Sequence, residues 1–415
     1  MSKIVILSER LPYPPTSGTK NLLYNYCKIL HENLELEVVN ISFLDQDDDI
    51  SLKPDFIAKT YPLRSPSGKV KLKNLIFKTM IKREYPMQVS LFWDESIKDD
   101  IYKILEKEKP DFVIADFVRT TEYLKDYPGF KIADLQDLLS LRYKRQLKLN
   151  LATFNPYGAY LFRFSKFIQN FLQMETLKRF VLKNEIKLLE KYEKNVGEHY
   201  DRVMFVAQNE GELFDQMLRD NKSLVASIGV DVDYFSENLN IEKEENSIAF
   251  FGALSVAHNE NGIIHFIRDV FPIVRQKVPD AKLYIIGGGV TEQINRAVVE
   301  GVVITGRVDD IRSSVERCKV FVCPLLFGSG IKTKNLEAMA MGMPVVTTRI
   351  GAENIPATAG KDWLVEDDNQ SFADAVVSIL QNKELRNALS INGQQYVKEN
   401  FSWKNAEYKF REVFK

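Results

Sequence analysis

Short apolar runs alternate with helical patterns along most of this chain. In the first half, residues 4–7, 36–41, 112–115, 131–133 and 202–206 are continuous apolar stretches of strand length. Unbroken rather than alternating apolar runs mark strands buried on both faces of a parallel sheet. Between the first two, Leu22, Leu23, Tyr26, Ile29 and Leu30 recur at helical spacing. Strand, loop, helix, strand is the opening of a parallel α/β domain.

A second rhythm of the same kind follows the charged stretch 241–246. Its expected strands are 247–251, 281–286, 302–305, 320–323, 344–348 and 363–365, with helices over 261–278, 311–317, 334–341 and 372–380. Helices joining parallel strands cross over right-handedly and gather the ligand-binding loops at the C-terminal strand ends. Residues 45–68, with DQDDD, Pro and Ser, predict a surface excursion. Residues 150–194 are helical in pattern and rich in Phe, Tyr, Leu and Lys, and predict helices packed on or projecting from the first domain. The stretch 396–415, carrying Phe401, Trp403, Tyr408, Phe410 and Phe414, predicts a final helical segment. The expected division is 1–235, 236–395 and a C-terminal helix over 396–415 that packs back on the first domain.

Length agrees with that division, since 415 residues exceed one ordinary core. A formal net charge of −1 gives no global basic field, so nucleic acid is not an expected partner. Cys27, Cys318 and Cys323 lack metal-ligand spacing and read as buried thiols in a reducing, cytoplasmic compartment. The N-terminal apolar run is too short for a signal-peptide core. No stretch approaches the ~18 to 20 apolar residues that span a bilayer. The expectation is a soluble protein, at most peripheral to the inner face of a membrane.

Candidate chemistry concentrates after residues 320–326, in FGSGIKTKNLEAMAMGMPVVTT. Gly328 and Gly330 permit close approach of the backbone to a ligand. A helix starting near Lys332–Lys334 turns its free N–H groups and positive dipole end toward that loop. A phosphate suits such a place, with Lys332 or Lys334 supplying charge. Glu337, one turn further on, is suited to accept paired hydrogen bonds from a ribose diol.

This segment resembles the family-four retaining glycosyltransferases of the GT-B fold, whose signature is a Glu, seven residues and a second Glu within a "LEAMA-GxPVV" run. LPYPPTSG ending at Gly18 resembles the family's N-terminal glycine loop, and IGVDVDYF at 228–235 its interdomain signature. LYIIGGG at 283–289, VITGRV at 303–308 and GAENI at 351–355 stand where the family has equivalents. The resemblance implies two Rossmann-like parallel-sheet α/β domains facing each other across a cleft. It further implies a nucleotide-sugar donor in the second domain, an acceptor mainly in the first, retention of anomeric configuration, and no cofactor or metal. Two departures stand out. Ser329 occupies the first Glu position, and FGALSVAHNENG at 251–262 lacks the Arg and Lys that grip the diphosphate in the family. Lys332 and Lys334 are the natural replacements.

The donor-binding candidates are therefore Gly18, His258, Asn259, Arg307, Ser329, Gly330, Ile331, Lys332, Thr333, Lys334 and Glu337. His258 and Asn259 follow the first strand of the donor domain, and Arg307 edges the base region. Asp137, in ADLQDLLSLRY, and Glu353, in GAENI, are the catalytic candidates. Asp137 has a second reading as a helix N-cap; Asp134 is a weaker candidate beside it. The stretch from Tyr160 to Val181 interleaves Lys and Arg with Phe, and reads as a membrane-interface patch, a partner surface or core helices. The expected function is sugar transfer to a glycan, lipid-linked or protein acceptor. The alternatives are a GT-B-like nucleotide-sugar epimerase and a non-catalytic partner subunit.

Overall fold

The computed structural model describes residues 1–15, 18–45, 48–148, 175–236, 239–328 and 330–414. The chain divides into two compact units, Met1–Ser227 with Ala406–Lys415, and Ile228–Asn405. Residues 228–235 thus belong to the second unit rather than the first, and so do 396–405.

The first unit is built on seven strands, β1 (Lys3–Ser8), β2 (Glu37–Phe43), β3 (Lys59–Leu63), β4 (Phe112–Asp116), β5 (Phe130–Gln136), β6 (Arg202–Phe205) and β7 (Ser223–Val225). They run parallel in the order β3-β2-β1-β4-β5-β6-β7. Strand order therefore reverses between β1 and β4. Val5, Leu7, Val39, Ile41, Val113 and Ala115 are fully buried against helices that contribute Ile101, Leu189 and Phe214. Helix Gly18–Glu32 buries the expected stripe of Leu22, Leu23, Tyr26, Ile29 and Leu30. Residues 406–415 close on the same unit, where Phe410 meets Tyr26 edge-on at 4.9 Å and Phe414 meets Phe112 at 5.1 Å.

Two strands lie where none was expected. The excursion predicted over 45–68 contains β3, whose KTYPL sequence has neither a continuous apolar run nor clean alternation. It sits at the sheet edge, where Pro62 forfeits no ladder bond needed by a further strand. β7 is only three residues long and forms the opposite edge. Of the segment 150–194, the described part is the helix Glu175–His199; residues 149–174 lie outside the described residues, including most of the interval from Tyr160 to Val181.

Three buried carboxylates hold helix starts in this unit. Glu193 accepts from Ser140 N at 3.0 Å, Glu210 from Leu138 N at 2.6 Å, and Glu185 from Met87 N at 2.8 Å. Each satisfies a main-chain N–H that a helix cannot bond internally. Burial pushes the three carboxyls up, Glu193 to about 8 and the others to about 7.

The second unit carries β8 (Ser247–Phe251), β9 (Lys282–Ile286), β10 (Val302–Gly306), β11 (Val320–Cys323), β12 (Val345–Thr347) and β13 (Leu364–Val365). These too are parallel, in the order β10-β9-β8-β11-β12-β13, and reverse between β8 and β11. Ile248, Phe250, Leu283, Ile285, Val320 and Val322 form the core with Phe266, Phe271 and Val376. Helices Glu292–Ala297 and Lys383–Asn400 were not anticipated as elements of their own. Both units are thus α/β with a parallel sheet, as the run pattern predicted.

Candidate functional site in the second unit

In an open parallel sheet, ligands bind outside the carboxyl ends of the strands where strand order reverses. In the second unit that point lies between β8 and β11. The chain leaving β8 enters a loop and then helix Ala257–His265; the chain leaving β11 passes Gly328 and Gly330 into helix Thr333–Ala340. Both helices begin without a side-chain cap, at Val256 and at Lys332. Two sets of main-chain N–H groups therefore open at one sheet position, each with the positive end of a helix dipole behind it.

The strand ends are drawn close. Leu254 N donates to Gly288 O at 2.8 Å and Gly252 N to Ile286 O at 3.0 Å. Gly287 has φ +145°, and a Cβ there would stand 1.9 Å from Gly252 O. Only glycine fits such an approach.

Lys334 links the two helices. Its Nζ donates to Asn259 Oδ1 and lies 4.9 Å from the centre of the Phe250 ring. Asn259 is itself fixed, because its Nδ2 donates to Ala253 O at 2.9 Å. Burial holds the Lys334 ammonium below its ordinary value. Lys332, buried at the helix start, curls back so that its Nζ donates to Gly330 O at 2.8 Å. Gly330, at φ +70°, adopts the left-handed conformation that this turn needs. His258 is half-buried beside them, and burial followed by the charges of Lys334 and Lys332 pushes its imidazole down to about 4. Burial pushes the Glu337 carboxyl up to about 7, against the pull of Lys334 and a hydrogen bond with Thr333.

The loop after β12 is tied to the same helix. Asn335, fully buried, donates to Gly351 O at 2.9 Å; Gly351 N donates to Thr348 Oγ1 at 3.0 Å, and Thr348 Oγ1 to Leu325 O at 2.6 Å. These bonds set GAENI, with Glu353, against the loop that follows β11.

His258, Asn259, Gly330, Lys332, Thr333, Lys334 and Glu337 are thus brought into one neighbourhood, with Ile331 in the connecting turn. Arg307 is exposed after the edge strand β10, its Cβ near Gly288. Ser329 lies outside the described residues. Gly18 and Asp137 belong to the first unit. Gly18 starts the helix after β1, exposed. Asp137 is buried and pairs with Arg142, whose Nε donates to its Oδ2 at 2.8 Å. The N-cap alternative for Asp137 does not hold, because the following helix starts at Leu139 and its Ser140 N–H goes to Glu193.

Sequence reasoning overlooked Asp116, at the carboxyl end of β4, one of the two strands between which the first sheet reverses its order. Asp116 pairs with Asp134 in register across β4 and β5, and burial together with their mutual repulsion holds the Asp116 carboxyl well above the usual range. Gln136 Nε2 donates to Asp116 Oδ1 at 2.9 Å, and Arg119 binds Glu9 at 2.9 Å nearby in the chain's fold. The signal was present: FVIAD ends an apolar strand on an acidic residue at the ligand-facing end. Among the described residues, no group of three or more His, Cys, Asp or Glu is placed to hold a metal ion.

Comparisons with known proteins bear on the fold and on the second unit's family. Residues 245–382 match the family described as Glycosyl transferases group 1. A 44.6 kDa uncharacterised protein from the cps region of Klebsiella pneumoniae is 22% identical over the full length of both chains. Sucrose-phosphate synthase of Thermosynechococcus elongatus superposes with a TM-score of 0.70 at 14% identity, over 100% of this chain and 98% of that one. HepE of Anabaena, solved in complex with UDP-glucose, superposes with a TM-score of 0.66 at 13% identity, over 100% and 99%. Residues 245–382 match the glycosyl transferases group 1 family, and the chain has the GT-B fold of these solved structures.

Proposed function

We propose that the chain transfers a sugar from a nucleoside-diphosphate donor, held by the second unit, to a glycan, lipid-linked or protein acceptor. The observation that carries this reading is the meeting of Lys334, Asn259 and two uncapped helix starts where β8 and β11 diverge. A diphosphate placed there meets main-chain N–H groups and ammonium charge, while Glu337, one turn into the helix, accepts from the ribose. As the bond from the anomeric carbon to the diphosphate breaks, the leaving group takes the electron pair and gathers negative charge. Fixed N–H groups and Lys334 offset that charge without rearranging. The acceptor oxygen bonds to the anomeric carbon, and its proton passes to the departing diphosphate. Retention of configuration, independence from metal, and catalytic roles for Asp137 and Glu353 are part of the proposal on the strength of the family resemblance. The HepE complex with UDP-glucose and the cps-region relative support a nucleotide-sugar donor and a polysaccharide setting.

The test is a donor screen on the purified full chain that detects released nucleoside diphosphate with and without acceptors. Acceptor-dependent release, lost in a folded Glu337→Ala protein, is the expected result. Conversion of the donor sugar without an acceptor would establish an epimerase instead. Absence of binding to every nucleotide sugar in titration calorimetry would leave a non-catalytic subunit.

A further inference from the structure

Helix Gly68–Asn74 of the first unit continues through Leu75–Ile81 with wider, i to i+5 hydrogen bonding. Its orientation is inverted relative to an ordinary surface helix. The side turned to the protein is polar: Asn74 is buried and donates to Ser90 O at 3.1 Å and Trp93 O at 2.7 Å. Thr79 Oγ1 donates to Ser90 Oγ at 2.7 Å, and the Lys78 ammonium lies 4.4 Å from the Tyr85 ring centre. The apolar side faces outward, with Leu72 54%, Ile76 39%, Phe77 51%, Met80 71% and Ile81 64% exposed.

Folding alone gives no reason for that arrangement. An amphipathic helix lowers its free energy by burying the apolar stripe and hydrating the polar one. Here specific hydrogen bonds from Asn74 and Thr79 hold the helix the other way round. A contiguous apolar surface of this kind marks a place where something else docks.

Charge identifies the occupant. From Arg64 through Arg83 there are seven Lys or Arg residues, both ends included, and no Asp or Glu, in a chain whose formal net charge is −1. Arg64, Lys69, Lys73, Lys82 and Arg83 are exposed around the apolar face. At the C-terminal end Arg83 donates to Asn184 Oδ1 at 3.1 Å, on the helix Glu175–His199 that also exposes Phe180 at 63%. Apolar side chains ringed by cations match the boundary of an anionic bilayer, where the former enter the acyl region and the latter stay among the headgroups. A water-soluble protein partner of acidic character would satisfy the lysines but leave the outward Phe77 and Met80 without a hydrocarbon phase.

We infer that residues 68–83 form a membrane-docking helix that lies in the plane of an anionic lipid surface. The mode is peripheral, since among the described residues no helix is long and apolar enough to cross a membrane. This inference is independent of the donor chemistry in the second unit.

Vesicle co-sedimentation of the full chain tests it, using phosphatidylcholine alone against an equal mixture with phosphatidylglycerol. The expected result is binding to the mixed vesicles only, weakened by added salt. Each of Lys69→Glu, Lys73→Glu and Lys82→Glu should reduce binding at least about fivefold. A combined Ile76→Ser, Phe77→Ser, Met80→Ser protein should lose it by at least about tenfold while keeping the wild-type melting temperature, because these side chains are already exposed. A wild-type protein that stays in solution with the mixed vesicles overturns the inference. So does binding that survives both sets of substitutions, or self-association that the apolar substitutions abolish, which would assign the face to a second copy of the chain.

Discussion

Lys334 donates a hydrogen bond to the side-chain carbonyl of Asn259, and so ties the helix after β11 to the helix after β8. This bond places a cation at the open end of the sheet, where the family's usual Arg and Lys are missing from 251–262. It also spends the ammonium on a neutral partner, a weaker one than a diphosphate oxygen. On the proposed function, donor binding would exchange Asn259 for a phosphate oxygen. Lys334→Ala should therefore weaken binding of the nucleoside diphosphate that a donor screen identifies by at least about tenfold, the scale of one charge-assisted hydrogen bond. Asn259→Ala should weaken it less, because it removes a positioning contact and no charge. Calorimetric titration with that nucleoside diphosphate checks both, and a Lys334→Ala protein with unchanged affinity would sink the assignment.

If Glu337 holds the donor ribose as proposed, donor binding should depend on pH. The Glu337 carboxyl, raised to about 7 by burial, is largely protonated below that value in the free protein. Accepting two hydroxyl donors from a ribose requires the carboxylate, so binding should expel a proton. Affinity for a nucleoside diphosphate should rise between about pH 5.5 and 7.5. Glu337→Gln should bind more weakly and lose most of that slope. Titrations in buffers of different ionisation enthalpy report the proton directly; equal heats in all buffers at pH 6.5 would contradict this role.

Gly287 fixes the junction of β8 and β9. With φ +145° and a prospective Cβ 1.9 Å from Gly252 O, neither backbone nor neighbour has room to give. Gly287→Ala should cost about 2 to 4 kcal/mol of stability in the second unit. Urea unfolding followed by tryptophan fluorescence would measure it, and a wild-type midpoint would show that the strand ends separate freely.

Glu193 gives the first unit a stability that falls as the medium becomes alkaline. Burial raises its folded-state carboxyl to about 8, above the ordinary value of 4.5, so the folded chain holds the proton more tightly than the unfolded one. Its contribution is complete below about pH 4.5 and is lost as pH rises through about 8. Glu193→Gln keeps an acceptor for Ser140 and removes the titration. The stability difference between variant and wild type should shift toward the variant by on the order of 3 kcal/mol from pH 5 to pH 9. Thermal denaturation at a series of pH values gives the curve, and parallel curves for the two proteins would refute it.

The legibility of the chain followed the physics of each signal. Strands buried on both faces announce themselves as unbroken apolar runs, which is why VFVC at β11 and SIAFF at β8 had their observed limits in the sequence. KTYPL at β3 did not, because an edge strand needs neither two apolar faces nor a free N–H at every residue. Within the site, the glycines, lysines and Glu337 were visible as a local pattern. The contact between Lys334 and Asn259, 75 residues apart, was not. It arises from β8 and β11 being neighbours, and periodicity specifies a strand without specifying what lies beside it. Asp116 was passed over because a single acidic residue closing an apolar run has no partner in the local sequence.

The two uncapped helix starts have a bearing on how this protein can diverge. An anion gripped there would be recognised by main-chain atoms, which every residue except proline supplies alike. Substitutions around them can accumulate while the grip persists, provided the glycines and the strand order are kept. That leaves the surrounding side chains at liberty to change sugar or acceptor preference, and it makes an unaltered architecture at 13% or 14% identity an unsurprising outcome.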